Sequence, residues 1–158
     1  MTIILDLDYT LLDTVRFKED FFSHGEEVLA RTGDYLYPGA VEFLSRLRGT
    51  SARMILLTFG DIAWQTAKVD RAGLRPYFDE VIATAEEKKN IIGRFRGADV
   101  VVINDNGVET AAMMAAVPEF RYILKRGPKV IPESLDCDIV DTFDEVEKLL
   151  SFEKSRVQ

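Results

Sequence analysis

Five short apolar runs constrain this chain more than any other feature: residues 2–7 (TIILDL), 52–58 (ARMILLT), 80–83 (EVIA), 99–104 (DVVVIN) and 120–124 (FRYIL). None shows the inside/outside alternation of a half-solvated strand, so the strands they predict are covered on both faces. Helical patterns lie between them, over about 16–31, 39–48, 61–73, 86–96, 107–116 and 143–151. Buried strands joined through helices describe an α/β domain with a parallel sheet. A weaker run, Asp138-Ile139-Val140, is a candidate edge strand. Breakers agree with this division: Pro38-Gly39 starts the second helix, Gly73 closes the third and Gly97 the fourth. No repeat, low-complexity tract or linker interrupts residues 1–158, so one domain is expected, with a charged tail over 153–158 that frays.

Parallel sheets bind ligands beyond the carboxyl ends of their strands. Asp6 and Asp8 follow the first strand, and residues two apart point to the same side, so the two carboxylates can converge. Asp-x-Asp alone is a weak signal, since Asp136-Cys137-Asp138 repeats it in what reads as a loop. Its position after Ile3-Ile4-Leu5 is what strengthens it. Thr58-Phe59-Gly60 follow the second strand, offering a hydroxyl and backbone N–H groups at a helix start, an arrangement that suits phosphate. Glu86-Glu87-Lys88-Lys89 open the next helix, where a lysine is unfavourable unless an anion is near. Asn104-Asp105-Asn106 follow the fourth strand, with Glu109 four residues after Asp105. Such oxygen donors suit a hard cation such as Mg²⁺.

Composition narrows the classes. Hydrophobic residues make up 47% and charged residues 30%, an ordinary globular balance, and the net charge of −7 argues against a nucleic-acid partner. Arg121, Lys125, Arg126 and Lys129 form the one local exception. A single cysteine, Cys137, excludes an intrachain disulfide, no apolar run reaches membrane-span length, and the N-terminus carries no leader pattern. A cytoplasmic location is expected.

The strand-end residues resemble the haloacid dehalogenase-like (HAD) superfamily in its phosphatase branch. "ILDLDYTLLDT" resembles that family's strand followed by Asp-x-Asp-x-Thr. Thr58 after "MILL" is similar to its second motif, the helix-opening lysine to its third and "VVVINDNGVE" to its fourth. The segment "GDIAWQTAKVDRAGLRPYFDEVIAT" is similar to the family's Gln…Lys…Gly-Leu…Tyr-Phe-Asp stretch, so the resemblance runs from residue 2 to about 124. It implies a three-layer Rossmann-like parallel sheet of about five strands flanked by helices. It also implies an Mg²⁺-dependent phosphomonoester hydrolase with catalytic Asp6, Asp8, Thr58 and Lys88. Asp6 would be the nucleophile that becomes an aspartyl-phosphate, and Asp8 the general acid and base. Thr58, Phe59, Gly60 and Lys88 would hold the phosphoryl group. Asp6, the Asp8 carbonyl, Asp105 and Glu109 would hold Mg²⁺. Lys88 is favoured over Lys89 because Ile91, Ile92 and Phe95 then follow at the spacing of a buried helix face.

Tyr9, Phe59, Asn104 and Glu109 depart from the residues more usual in that family. Cap insertions common in related enzymes have room only at about 14–37, enough for one helix and a loop. That helix carries Phe17, Phe21, Phe22, Val28 and Leu29, which read as core packing before a lid or an oligomer contact. Asp13 reads as its N-cap. His24 reads as a polar rim residue and Trp64 as core. The expected substrate is a phosphorylated small molecule, with a phosphoprotein next, and an open site also suits a homo-oligomer. The alternatives are a phosphotransferase of the same type or a non-catalytic phosphate-binding domain.

Overall fold

The structure, a computed structural model, describes residues 1–154. Its strands are β1 (Thr2–Leu5), β2 (Arg53–Phe59), β3 (Glu80–Thr84), β4 (Val100–Asn104), β5 (Arg121–Lys125) and β6 (Asp138–Val140). All pair in parallel, in the order β3-β2-β1-β4-β5-β6. The weak run is therefore a true sixth strand, three residues long at the β5 edge.

Strands without alternation here serve two cores at once. Ile3 and Leu5 of β1, Met54 and Leu56 of β2, and Val101 and Ile103 of β4 point into one apolar layer. Ile4, Ile55, Leu57, Val100 and Val102, each next to one of these in sequence, point into the other. Period-two geometry thus turns a continuous apolar run into two buried faces. The first layer is covered by α1 (Thr14–His24), α3 (Ala40–Arg48), α4 (Ile62–Arg71) and α7 (Phe143–Lys154), through Phe17, Phe43, Val69 and Val146 among others. Ile92 and Phe95 with α6 (Gly107–Ala116) cover the second, through Met113.

Two helical expectations change. The pattern over 16–31 breaks at Gly25 into α1 and a short α2 (Glu26–Ala30), because Gly25 sits at φ +64° and ψ −136°, a conformation that side chains disfavour. The pattern over 86–96 becomes α5 (Lys88–Ile91) followed by a 3-10 turn over Ile92–Phe95. Ile92 and Phe95 are three apart, which matches the tighter 3-10 period, so both still bury. Asp13 caps α1, accepting from the Arg16 N–H at 3.2 Å. The tail expected to fray over 153–158 enters the end of α7 and then, at 155–158, lies outside the described residues.

Phe17 is buried against Phe21, Tyr35 and Trp64, with ring centroids 5.6–6.1 Å away, so α1 packs onto the domain through its aromatic side. Phe22 on the same helix is 87% exposed, and His24 is exposed at its end. No basic face forms at 121–129. Arg121 pairs with Asp138, Arg126 pairs with Asp141, and Lys125 is buried between the Tyr37 and Phe143 rings. Among the described residues, no helix is long and apolar enough to cross a membrane.

The register positions the site. Leu5 lies opposite both Leu56 and Ile103, so β1 and β4 end nearly level while β2 runs three residues further, to Phe59. From β1 the chain winds out to β2 and β3 on one side, then crosses to β4 on the other. The crevice beside β1 is that reversal point.

Candidate active site

Asp6 leaves β1 with its own N–H donated to the Ile103 carbonyl at 3.1 Å, and its side chain is buried. Lys88 Nζ lies 2.7 Å from Asp6 Oδ1 and 3.1 Å from Glu109 Oε2. Lys89 points outward to Glu87, so α5 commits Lys88 to the cleft. Burial alone would discharge Lys88, but Asp6 and Glu109 outweigh it and hold its ammonium above the usual lysine value. Burial also raises Asp6, despite Lys88.

Asp8 has a separate set of partners. Lys68 Nζ lies 2.6 Å from its Oδ1, Gln65 Nε2 2.7 Å from its Oδ2, and the Thr14 hydroxyl donates to Oδ1 at 3.0 Å. Burial pushes this carboxyl up, but Lys68, Gln65 and Thr14 together hold it below the ordinary aspartate value. Gln65 also donates to Thr58 Oγ1 and to the Phe59 carbonyl. The amide therefore ties the end of β2 to the loop after β1. Thr58 itself is buried with its hydroxyl facing this junction.

Phe59 is about half exposed at the cleft edge. The Gly60 N–H is donated to the Thr84 carbonyl at 2.9 Å, so it extends the β2–β3 ladder and is not free for an anion. Gly60 supplies space instead. At φ +147° a Cβ there would stand 3.2 Å from Gln65 Cγ, pushing away the side chain that holds Asp8.

Asp105 is the least compensated acid. Its Oδ1 lies 3.3 Å from the Thr10 hydroxyl, which also reaches Asp6 Oδ2 at 3.2 Å, and that hydroxyl carries one proton for both. Asp105 Oδ2 is buried with no hydrogen-bond partner. Burial, then the adjacent Asp6 carboxylate, pushes the Asp105 carboxyl up to about 7. Two facing acids and an orphaned oxygen fit a cation bound between Asp6 and Asp105, with the Asp8 carbonyl close in the chain. Among the described residues, no three His, Cys, Asp or Glu side chains form a metal cluster by themselves, so such an ion also needs carbonyl or water oxygens. Glu109 Oε2 is taken by Lys88 and by Asn104 Nδ2 at 2.9 Å. Glu109 thus positions the lysine in this arrangement.

Asp6, Asp8, Gln65, Lys68, Lys88, Asp105 and Glu109 line one cleft of about 300 Å³, as do Tyr9, Lys18, Trp64 and Lys129, while Thr10, Thr58 and Asn104 lie behind its wall. Sequence reading assigned no role to Gln65, Lys68, Thr10 or Thr14. Gln65 and Lys68 carry a usable signal: they sit three apart on α4, next to Val69, where an amphipathic helix turns its buried side inward.

A family model for haloacid dehalogenase-like hydrolases matches residues 18–117. The match begins beyond Asp6 and Asp8, so these two rest on their motif and their geometry. No curated protein matches the chain. Among solved structures, it is similar to a haloacid dehalogenase-like hydrolase from Burkholderia xenovorans LB400 (TM-score 0.74, 18% identity, covering 94% of this chain and 95% of that one). A predicted phosphatase from Clostridium acetobutylicum aligns at TM-score 0.72 and 15% identity, covering 95% and 98%. L-2-haloacid dehalogenase from Xanthobacter autotrophicus aligns at TM-score 0.65 and 14% identity, also covering 95% and 98%. At these identities the structures speak for the fold, while the family match spans more than half of the chain. The chain belongs to the haloacid dehalogenase-like hydrolases.

Proposed function

We propose that this hydrolase cleaves phosphate monoesters through an aspartyl-phosphate on Asp6. The observation that carries the reading is the second acid, Asp8, held beside Asp6 by its own lysine. Displacing a halide from carbon needs no acid, because halide leaves without a proton. An alkoxide leaving phosphorus does need one. Likeness to a dehalogenase and to a predicted phosphatase leaves both chemistries within the fold, and Asp8 favours the second.

In this reading an Asp6 carboxylate oxygen attacks phosphorus, the bond to the ester oxygen breaks, and Asp8 gives that oxygen a proton. The resting Asp8 is held as a carboxylate by Lys68. The incoming phosphate dianion raises its affinity for a proton, as like charges do. Asp8 then takes a proton from the water that attacks the aspartyl-phosphate, releasing inorganic phosphate and restoring Asp6. Lys88 meets charge on Asp6 and the phosphoryl oxygens, and the Thr58 hydroxyl donates to one of those oxygens. Mg²⁺, held by Asp6, Asp105 and the Asp8 carbonyl, would neutralise phosphoryl charge when bound.

Hydrolysis of p-nitrophenyl phosphate with Mg²⁺ or EDTA, for wild type and Asp6→Asn, tests this. Phosphate release that requires Mg²⁺ and is lost in Asp6→Asn is expected. Halide release from 2-chloropropionate, with no phosphate released from any ester, would replace the reading with dehalogenation.

A further inference from the structure

Among the described residues, two basic side chains in the cleft form no salt bridge, although Asp105 lies within electrostatic reach of one of them, Lys129. Lys18 lies one turn after Thr14 on α1, and Lys129 lies in the loop after β5, so they come from distant parts of the chain. Both converge on Tyr9. Lys18 Nζ is 3.2 Å from the Tyr9 hydroxyl and 5.6 Å from its ring centroid, and Lys129 Nζ is 4.8 Å from the same centroid. Elsewhere in the described residues Arg46, Arg48, Arg53, Arg75, Arg94 and Arg96 each hold a carboxylate. In a chain of net charge −7, these two cations share one aromatic ring with no carboxylate in salt-bridge contact among the described residues.

Tyr9 is fixed for this contact. It is the one non-glycine residue at positive φ among those described, at +60°. Its N–H donates to the Leu12 carbonyl at 2.9 Å and to Thr14 Oγ1 at 3.0 Å. A bulky side chain in that region is strained and persists only where its surroundings hold it. The ring face and phenol oxygen offset part of the repulsion between the two ammonium groups. A bound anion would offset the rest.

The transferred phosphoryl group is already served on the floor, by Lys88, Thr58 and the cation pair of carboxylates. Tyr9 follows Asp8, the residue that protonates the leaving oxygen, so the lysines flank the leaving-group side. Resting on the phosphatase reading, we propose that Lys18 and Lys129 form a second anion subsite there. The substrate is then a small phosphomonoester whose leaving group carries a further anionic group, a carboxylate or a second phosphate.

Matched pairs of esters test this. 3-Phosphoglycerate and glycerol 3-phosphate differ by a carboxylate in place of a hydroxymethyl group. Fructose 1,6-bisphosphate and fructose 6-phosphate differ by one phosphate. The expected result is a kcat/KM ratio of about tenfold or more in favour of the charged member of at least one pair. That ratio should fall about three- to tenfold with Lys18→Met or Lys129→Met and towards unity in the double variant. The pair that responds identifies the second anion. Equal use of both members, or a preference that survives the double variant, overturns the subsite. If no ester is hydrolysed, the phosphatase reading fails alone. Calorimetric binding of the same four compounds then decides the subsite: tighter binding of a charged member, lost in the double variant, supports it, and equal binding or none overturns it.

Discussion

The floor and the mouth of the cleft are built on opposite principles. On the floor, Asp6 answers to Lys88 and Asp8 to Lys68, at 2.7 and 2.6 Å, with both ammonium groups almost fully buried. At the mouth, Lys18 and Lys129 are exposed and contact an aromatic ring and its hydroxyl, with no salt bridge among the described residues. Buried pairs are over-determined, because an unmatched charge there costs several kcal/mol. Exposed charges are screened by water and salt, so a rim can keep unmatched cations and still fold. The lesson is a division of labour: the floor matches buried charges in pairs, while the mouth keeps cations free to meet what reaches it.

The floor half of that comparison breaks most sharply at Lys88. Lys88→Met should lower kcat about 10³-fold, from loss of phosphoryl and nucleophile charge stabilisation. It should also destabilise the fold by about 3–5 kcal/mol, since Asp6 and Glu109 are left buried without their partner. A denaturation curve and an activity assay read the two effects separately, and full activity with normal stability would remove Lys88 from the site.

Lys68→Met comes next, at about 10²-fold in kcat/KM. Lys68, Gln65 and Thr14 hold Asp8 below its ordinary value against burial. Without Lys68, burial dominates and the carboxyl takes up protons at higher pH. The alkaline limb of the kcat/KM profile, set by the acid that protonates the leaving oxygen, should therefore move upward in pH. A limb that stays in place would mean Asp8 does not set it.

Metal dependence gives a smaller, stability-based readout. Asp105 is pushed up to about 7 by burial and Asp6, so below that pH a proton competes with a cation. Millimolar Mg²⁺ should raise the melting temperature by a few degrees at pH 8 and less at pH 6, and Asp105→Asn should abolish the rise. An equal rise in Asp105→Asn would place the ion elsewhere.

The smallest effect belongs to an exposed contact outside the cleft. Asp79 accepts from the Met54 N–H at 2.8 Å and pairs with Arg48, which holds its carboxyl below the usual range. A depressed carboxyl contributes stability above its unfolded value and loses it as pH falls through the folded one. Asp79→Asn should therefore lower stability slightly at neutral pH and leave it unchanged below the folded value, which flattens the acid side of the profile. A large loss at pH 7 would show that this surface pair matters as much as the floor.

Much of the architecture was legible before any coordinates. Apolar runs located every strand described, including the three-residue β6, and Asp6, Thr58, Lys88 and Asp105 stood out because each lies at or shortly beyond the carboxyl end of a strand. Gly25 shows where reading fell short. The apolar pattern over 16–31 outweighed a single glycine, although its positive φ splits the helix. Lys125 shows a second kind of miss: beside Arg126 in sequence it looks like surface charge, yet β5 carries it between two aromatic rings.

What the sequence by itself determined is local: period-two burial, which ends carry acids, and where glycine or aspartate stops a helix. What the tertiary structure alone decided is which charge meets which. Asp6 and Lys88 are 82 residues apart, and Asp8 and Lys68 are 60 apart. No local pattern reports such a pairing. Strand register and the reversal beside β1 set it, and burial then makes each pairing obligatory.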